Sequence, residues 1–286
     1  LLLNQHPDVF LATPRETCFF YDDVLYSGGS TSYERNFFGE WDGQKAVGEK
    51  TPAYLFYEKT PARINDTLGD GVKLIVTLRS PAKRAHSHFR HNYQQLWEQL
   101  SFEDALKKEP KRISKNEQAR AMYGYLERGK YAGQLKRYMD LFPKENIKTL
   151  IFEEDIIGNQ EQLASDLFDY LEIARDVPLE LPVSAGRPNI PEMEIIGYLE
   201  TECEINNNMV LLPPGTIVIR FPSGKTQCIK SPSIQLRNYA ECFQASVSNI
   251  NRLSREAELE INTTHFKDDI EALSQLIDRD LSAWLQ

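Results

Sequence analysis

The sequence predicts an α/β fold built on a mainly parallel sheet, and three observations carry that expectation. Short β-rich runs recur at KAVGE (45–49), VKLIVTLR (72–79) and NIKTLIFEED (146–155). Two of them are continuously apolar, as strands covered on both faces must be. Segments with helical spacing separate them, and such alternation defines a layered domain whose ligands gather at the carboxyl ends of the strands.

Taken in order, LLLNQHPDVF reads as the tail of an amphipathic helix with no cap or start before it, so sequence is expected upstream of Leu1. The strand at 72–79 runs into Ser80, a good N-cap, and Pro81, which suits a first helical position; strand, turn and helix then follow with almost no loop. Ser101 followed by Asp104 resembles a capping box. Tyr131, Leu135, Tyr138 and Phe142 share one helical face, as do Leu163, Leu167 and Leu171. From about Pro178 the pattern gives way to Pro- and Gly-punctuated strands, and 192–260 reads as an insertion or small subdomain. The core is then 1–191, and 261–286 returns to it as helix, with Phe266, Ile270, Leu273 and Ile277 on one face.

With 286 residues, 41% of them apolar, the chain has ample material for a core. Its net charge of −9 argues against a broad nucleic-acid or anionic-lipid surface, so any anion site is local. No run approaches the roughly 18 apolar residues of a membrane span, and the chain reads as soluble. The four cysteines lack C-x-x-C spacing; free thiols are the default, and a Cys203–Cys228 bridge across a hairpin is the alternative in an oxidising compartment.

Against that acidic background, TLRSPAKRAHSHFRH (77–91) holds Arg79, Lys83, Arg84, Arg90 and three of the five histidines without one carboxylate. Arg79 ends an apolar strand and faces a helix start, a geometry that holds an anion through the helix dipole and charge-assisted hydrogen bonds. A structural carboxylate is the other partner open to it. Ser87, two turns into the helix, adds a hydroxyl. Lys83 and Arg84 read as a solvated face, while Ala85, Phe89, Tyr93 and Leu96 pack inward. A metal site is not expected: only His88 and His91 share a face, and two histidines without a third ligand bind weakly.

LRSPAKRAHSHF resembles the 3′-phosphate motif of PAPS-dependent sulfotransferases, in the branch with heparan sulfate and bacterial carbohydrate sulfotransferases. QHPDVFLATPRETCFF, GEKTPAYL and RGKYAGQLKRYMDLFPKENIKTLIFEED are similar to further motifs of that family in the same order, and FKDDIEALSQLIDRDLSAWL is like its terminal helix. The resemblance implies a P-loop-NTPase-like parallel central sheet flanked by helices, with PAPS as co-substrate and no metal. It implies that Arg79 and Ser87 bind the 3′-phosphate, that Glu16 is the general base, that Lys50 orients substrate and sulfonate, and that His91 is an acceptor-site histidine. AGRPNIP faintly echoes a late basic loop, which makes Arg187 a candidate cofactor contact. The acceptor implied is a carbohydrate or other small molecule, the compartment the cytoplasm, or the Golgi lumen if an anchor lies upstream.

The family's 5′-phosphosulfate loop would directly precede Leu1. The chain is therefore expected to be a fragment beginning after that loop; the alternative is a catalytically inactive binding module. IVIRFPSGKT (217–226) offers a third reading, a P-loop kinase, but Ile219 stands where the first glycine of that motif belongs, and a hairpin fits better. Asn65 and Asn262 fall in N-x-[ST] sequons.

Overall fold

The computed structural model describes residues 2–95, 97–98, 100–157, 160–175, 177 and 252–286 and, between 178 and 251, the backbone of five strands. The chain divides into two compact units, one of Leu1–Pro81, Lys130–Ala185 and Asn262–Gln286, the other of Ala82–Gly129 and Gly186–Ile261.

A 3-10 turn over Leu2–Gln5 leads into strand β1, Val9–Leu11. In sequence this stretch looks like a helix end because the leucines belong to the turn, and three strand residues behind Pro7 are too few to show alternation. Helix α1 (Asp23–Tyr26) is capped by Asp22, which accepts from the Val24 and Leu25 amides, and α2 (Gly29–Phe37) follows. Gly29 opens α2 at φ 71°, the left-handed region that favours glycine. Strand β2 (Ala46–Gly48) lies parallel to β1, with Val9 opposite Ala46 and Leu11 opposite Gly48. Helix α3 (Thr60–Leu68) carries a proline in its first turn.

Strand β3 (Leu74–Leu78) reaches α4 (Pro81–Gln94) through Arg79 and Ser80 alone, as the sequence leads one to expect. Then come α5 (Phe102–Ile113), α6 (Glu117–Tyr123) and α7 (Tyr131–Met139). The Ser101 side chain accepts from the Asp104 amide, so the start of α5 is where its capping pattern puts it. Strand β4 (Ile147–Ile151) pairs parallel with β3, Leu74 opposite Ile147 and Leu78 opposite Ile151. It stops short of residue 155: Asp155 accepts from the Ile151 amide at 2.6 Å, and Phe152–Ile156 winds into a wide helical turn.

Helix α8 (Gln160–Leu171) covers both ladders with one face. Its Leu163 and Leu167 pack with Leu150 and Ile75, its Ala164 and Phe168 pack with Val9 and Ala46, and Leu3 touches both groups. Each such side chain contributes about 1.5–3 kcal/mol when fully buried. That is the parallel, helix-covered α/β arrangement the three β-rich runs predict.

Five strands follow in the second unit: β5 (Glu194–Tyr198), β6 (Cys203–Glu204), β7 (Leu211–Leu212), β8 (Thr216–Arg220) and β9 (Thr226–Lys230). All their pairings are antiparallel, β8 between β5 and β9, and β6 with β7. Arg220 stands opposite Thr226, so the Lys-Thr pair at 225–226 leads into a strand and lacks the helix a P-loop requires. Cys203 is opposite Leu212 and Cys228 opposite Val218, in separate ladders, so the two do not face each other across one hairpin.

The last helices are α9 (Arg255–His265) and α10 (Lys267–Ile277). Phe266, Ile270 and Leu273 are buried, the face marked by their spacing. Asp269 caps α7 from far along the chain: its carboxylate accepts from the Tyr131 amide at 2.7 Å and the Ala132 amide at 3.2 Å. Asn262 is 0% exposed, and its side-chain nitrogen donates to Ser80 Oγ at 3.1 Å and the Trp284 carbonyl at 2.8 Å. That sequon is a buried structural joint in the folded chain.

In the second unit α4 buries Ala85, Phe89 and Tyr93, with Phe89 against Phe102 and Tyr125 at 5.1 and 5.9 Å between centroids. Leu96 lies outside the described residues. Lys83 and Arg84 do not form the solvated face their sequence suggests. Lys83 Nζ is 3.2 Å from the buried Glu258 carboxylate, and Arg84 donates to the Tyr125 carbonyl. Local sequence cannot show partners so distant in the chain. Glu98, 0% exposed, accepts from Arg112 at 2.5 Å and the Tyr125 hydroxyl at 2.9 Å. Among the described residues no helix is long and apolar enough to cross a membrane.

Arg279 joins the C-terminal segment to the turn after β4, donating to Asp155 Oδ2 at 2.6 Å and to Glu154. Burial alone would raise the Asp155 carboxyl, but the Arg279 guanidinium and the Ile151 amide outweigh it and hold it below its ordinary 3.8. A depressed folded value means the contribution is complete above pH 3.8 and is lost as pH falls through the lower folded value. For Asp155→Asn we expect lower stability than wild type at pH 6, with the difference vanishing in acid. Urea midpoints measured between about pH 2.5 and 6 check this.

Candidate functional site

The candidate site begins with the two loops that leave β1 and β2 at their carboxyl ends, one carrying Glu16 and the other Lys50. The backbone keeps these loops paired beyond the strands: the Ala12 amide donates to the Gly48 carbonyl at 2.9 Å and the Lys50 amide to the Arg15 carbonyl at 3.0 Å. As a result Lys50 Nζ stands 3.6 Å from Glu16 Oε1, with the two side chains 57% and 55% exposed. An ion pair that open to solvent is worth about 0–1 kcal/mol, too little to order two long side chains. Their proximity is set by the loops.

Beneath the pair lies a carboxylate that sequence reading passes over. Glu49 Oε2 accepts from Thr17 Oγ1 at 2.7 Å and Thr51 Oγ1 at 2.9 Å, and Oε1 accepts from the Tyr33 hydroxyl at 2.8 Å. The Tyr54 hydroxyl bridges both oxygens at 3.0 and 3.1 Å. The same hydroxyls accept from the next loop residues: the Cys18 amide donates to Thr51 Oγ1, the Phe19 amide to Thr17 Oγ1 and the Phe20 amide to the Tyr54 oxygen, at 3.2–3.3 Å. Phe19 and Phe20, both buried, pack edge-on to each other and against Tyr33. Burial first, then the Glu49 charge, pushes the Tyr33 and Tyr54 phenols far above their ordinary range, so both remain protonated donors. The signal was present in GEKTPAY, where Glu, Thr and Tyr flank the lysine at fixed offsets.

At the matching ends of β3 and β4, Arg79 meets Glu153. Arg79 Nε lies 3.4 Å from Glu153 Oε1, and the guanidinium sits 5.3 Å from the Phe152 ring centroid. The pairing is incomplete as hydrogen bonding: Arg79 Nε and both Glu153 oxygens are buried and accept or donate no hydrogen bond. The Arg79 side chain is 37% exposed. A structural carboxylate, one of the two partners open to Arg79 in sequence, lies beside it.

Ser87 is part-buried two turns into α4, in the second unit. His91 is exposed in the last turn of α4, edge-on to Trp97 at 5.8 Å. Arg187 lies outside the described residues. His88 is part-buried: burial, then Arg84, Arg128 and His91, pushes its imidazole down to about 2, so it stays neutral. Glu16 and Lys50 thus stand side by side. Among the described residues no three His, Cys, Asp or Glu side chains cluster as a metal cage would.

Parallel strand pairs under a helix, with charged side chains collected where the strands end, define an α/β protein whose candidate site lies at the carboxyl ends of its strands. A sulfotransferase from Alicyclobacillus acidocaldarius is similar in fold over 100% of this chain and 92% of that one, with a TM-score of 0.64 and 25% identity. Over 96 residues the chain is 31% identical to the membrane-associated sulfotransferase kil1 of Dictyostelium discoideum, covering 33% of this chain and 20% of that protein. Over 88 residues it is 34% identical to heparan sulfate glucosamine 3-O-sulfotransferase 5 of Mus musculus and of Homo sapiens, covering 31% of this chain and 25% of each. The matched stretches therefore span a fifth to a quarter of these curated relatives. No family model matches the chain. Over those stretches in sequence, and over the whole chain in fold, it is similar to sulfotransferases.

The Arg79–Glu153 contact makes a direct prediction. Arg79→Met strands the buried Glu153 oxygens beside no cation and should destabilise by about 1–3 kcal/mol. Adding Glu153→Leu should recover most of that loss, which a double-mutant cycle in urea measures.

Proposed function

We propose that the chain transfers a sulfuryl group from PAPS to a hydroxyl or amine of a carbohydrate or similar small acceptor. The observation that carries the reading is the Glu16–Lys50 pair, 3.6 Å apart and open to solvent at the carboxyl ends of parallel β1 and β2. The likeness to sulfotransferases supports it, and the heparan sulfate relative supports a saccharide acceptor.

PAPS supplies a sulfuryl group on a phosphate leaving group, and such transfer resembles in-line phosphoryl transfer through a loose transition state. Protein groups then act mainly by position and charge. Glu16 accepts the proton that the acceptor oxygen or nitrogen gives up as its bond to sulfur forms. Lys50 offsets the negative charge that gathers on the phosphate oxygen as the old sulfur–oxygen bond breaks. Arg79, its side chain 37% exposed at the end of β3, would hold the 3′-phosphate; Ser87, His91 and Arg187 keep the roles that the resemblance implies. Arg79 fits a phosphate, since a single carboxylate contact engages its Nε side without a complete hydrogen bond.

With the intact protein, 3′,5′-ADP should bind equally well in Mg²⁺ and in EDTA, and Arg79→Ala should abolish that binding in calorimetry. Glu16→Gln should lower kcat about 10²- to 10⁴-fold with PAPS and a panel of amino and hydroxyl saccharides. Preference for ATP with Mg²⁺, or undiminished turnover in Glu16→Gln, would overturn the reading.

A further inference from the structure

The exposed Glu16–Lys50 pair is too weak to place itself, and the network under it has a single hub. We infer that Glu49 is a positioning residue for the transfer chemistry, a carboxylate that fixes both loops through their hydroxyls and thereby sets the distance between Glu16 and Lys50. The inference rests on the roles proposed above for those two residues.

The geometry is specific to that task. Glu49 receives Thr17, the residue after Glu16, and Thr51, the residue after Lys50, on one oxygen. One oxygen atom therefore ties together the chain neighbours of both groups. Each threonine also accepts an amide from the Glu16 loop, Phe19 to Thr17 and Cys18 to Thr51, so the restraint reaches three residues along that loop when the Phe20 amide on Tyr54 is included. A carboxylate has about four lone-pair sites and is acceptor-only when ionised, which matches the four hydroxyls aimed at it. The two phenols cannot compete by ionising, because burial and Glu49 itself keep them protonated. Glu49 has no need to touch a substrate for its loss to be felt, since displacing a reacting group by about 1 Å can lower a rate on the order of 10²-fold.

The test uses the intact protein and Glu49→Ala, with Glu49→Asp as the partial rescue. If Glu49→Ala does not fold, Thr51→Val removes one strut and takes its place. Amide exchange at residues 18–20 should rise about tenfold or more in Glu49→Ala, reporting release of the loop. Turnover with PAPS should fall on the order of 10²-fold in kcat, while the Kd for 3′,5′-ADP, set at Arg79, stays within about twofold. Glu49→Asp should recover part of the turnover. Unchanged exchange, or turnover within about twofold of wild type in a folded variant, would overturn the inference. If Glu16→Gln and Lys50→Met prove fully active, the proposed roles fail by themselves, and exchange at residues 18–20 alone then decides whether Glu49 holds the loop.

Discussion

The parallel register between Val9–Leu11 and Ala46–Gly48 is the constraint from which the candidate site follows. Parallel pairing sends both chains out at the same edge, so the residues that follow each strand emerge side by side. Two further backbone hydrogen bonds carry the pairing to Arg15 and Lys50. Were the two strands antiparallel, Glu16 and Lys50 would leave at opposite ends. Side-chain attraction then has little left to do, which is why an ion pair in open water can still have a defined length.

The same logic repeats at β3 and β4, with a different balance of forces. There the cation and the anion are drawn partly out of water, and their unmet hydrogen-bonding atoms make the contact one of imperfect compensation. Such pairs contribute little to stability, and removing one partner costs more than the pair is worth. Elsewhere the basic stretch is tied off by distant partners: Lys83 by Glu258 and Arg84 by a carbonyl. An acidic protein with a dense run of local positive charge therefore shows several of those charges tied to distant partners, while the Arg79 side chain remains partly exposed.

Local patterns made much of the fold legible. The apolar runs at 72–79 and 146–155 announced β3 and β4, leucine and tyrosine spacing announced α7 and α8, and Ser101 with Asp104 marked the start of α5. What escaped was either too short or too distant. Strand β1 has three residues and no period to display; the run to 155 ended early because Asp155 turns back on Ile151. Glu16 and Lys50 could be proposed from motifs, and GEKTPAY held Glu49 with two of its hydroxyl partners, whereas Glu153 and Asn262 have meaning only through partners brought by the fold. Asn262 shows the hazard plainly: three residues spell a modification signal, yet its nitrogen is already committed inside the protein.

Asp269 closes the start of α7 from a position 138 residues later than Tyr131, and Asn262 reaches back 182 residues to Ser80. Contacts of such span cannot form until both positions have been synthesised. A nascent protein must wait until translation has passed both positions, holding α7 with its first amides unmet and the strand beyond Leu78 without its buried anchor. Completion of the first unit therefore waits on residues far along the chain, and synthesis stalled before them would yield species for chaperones and proteases to handle.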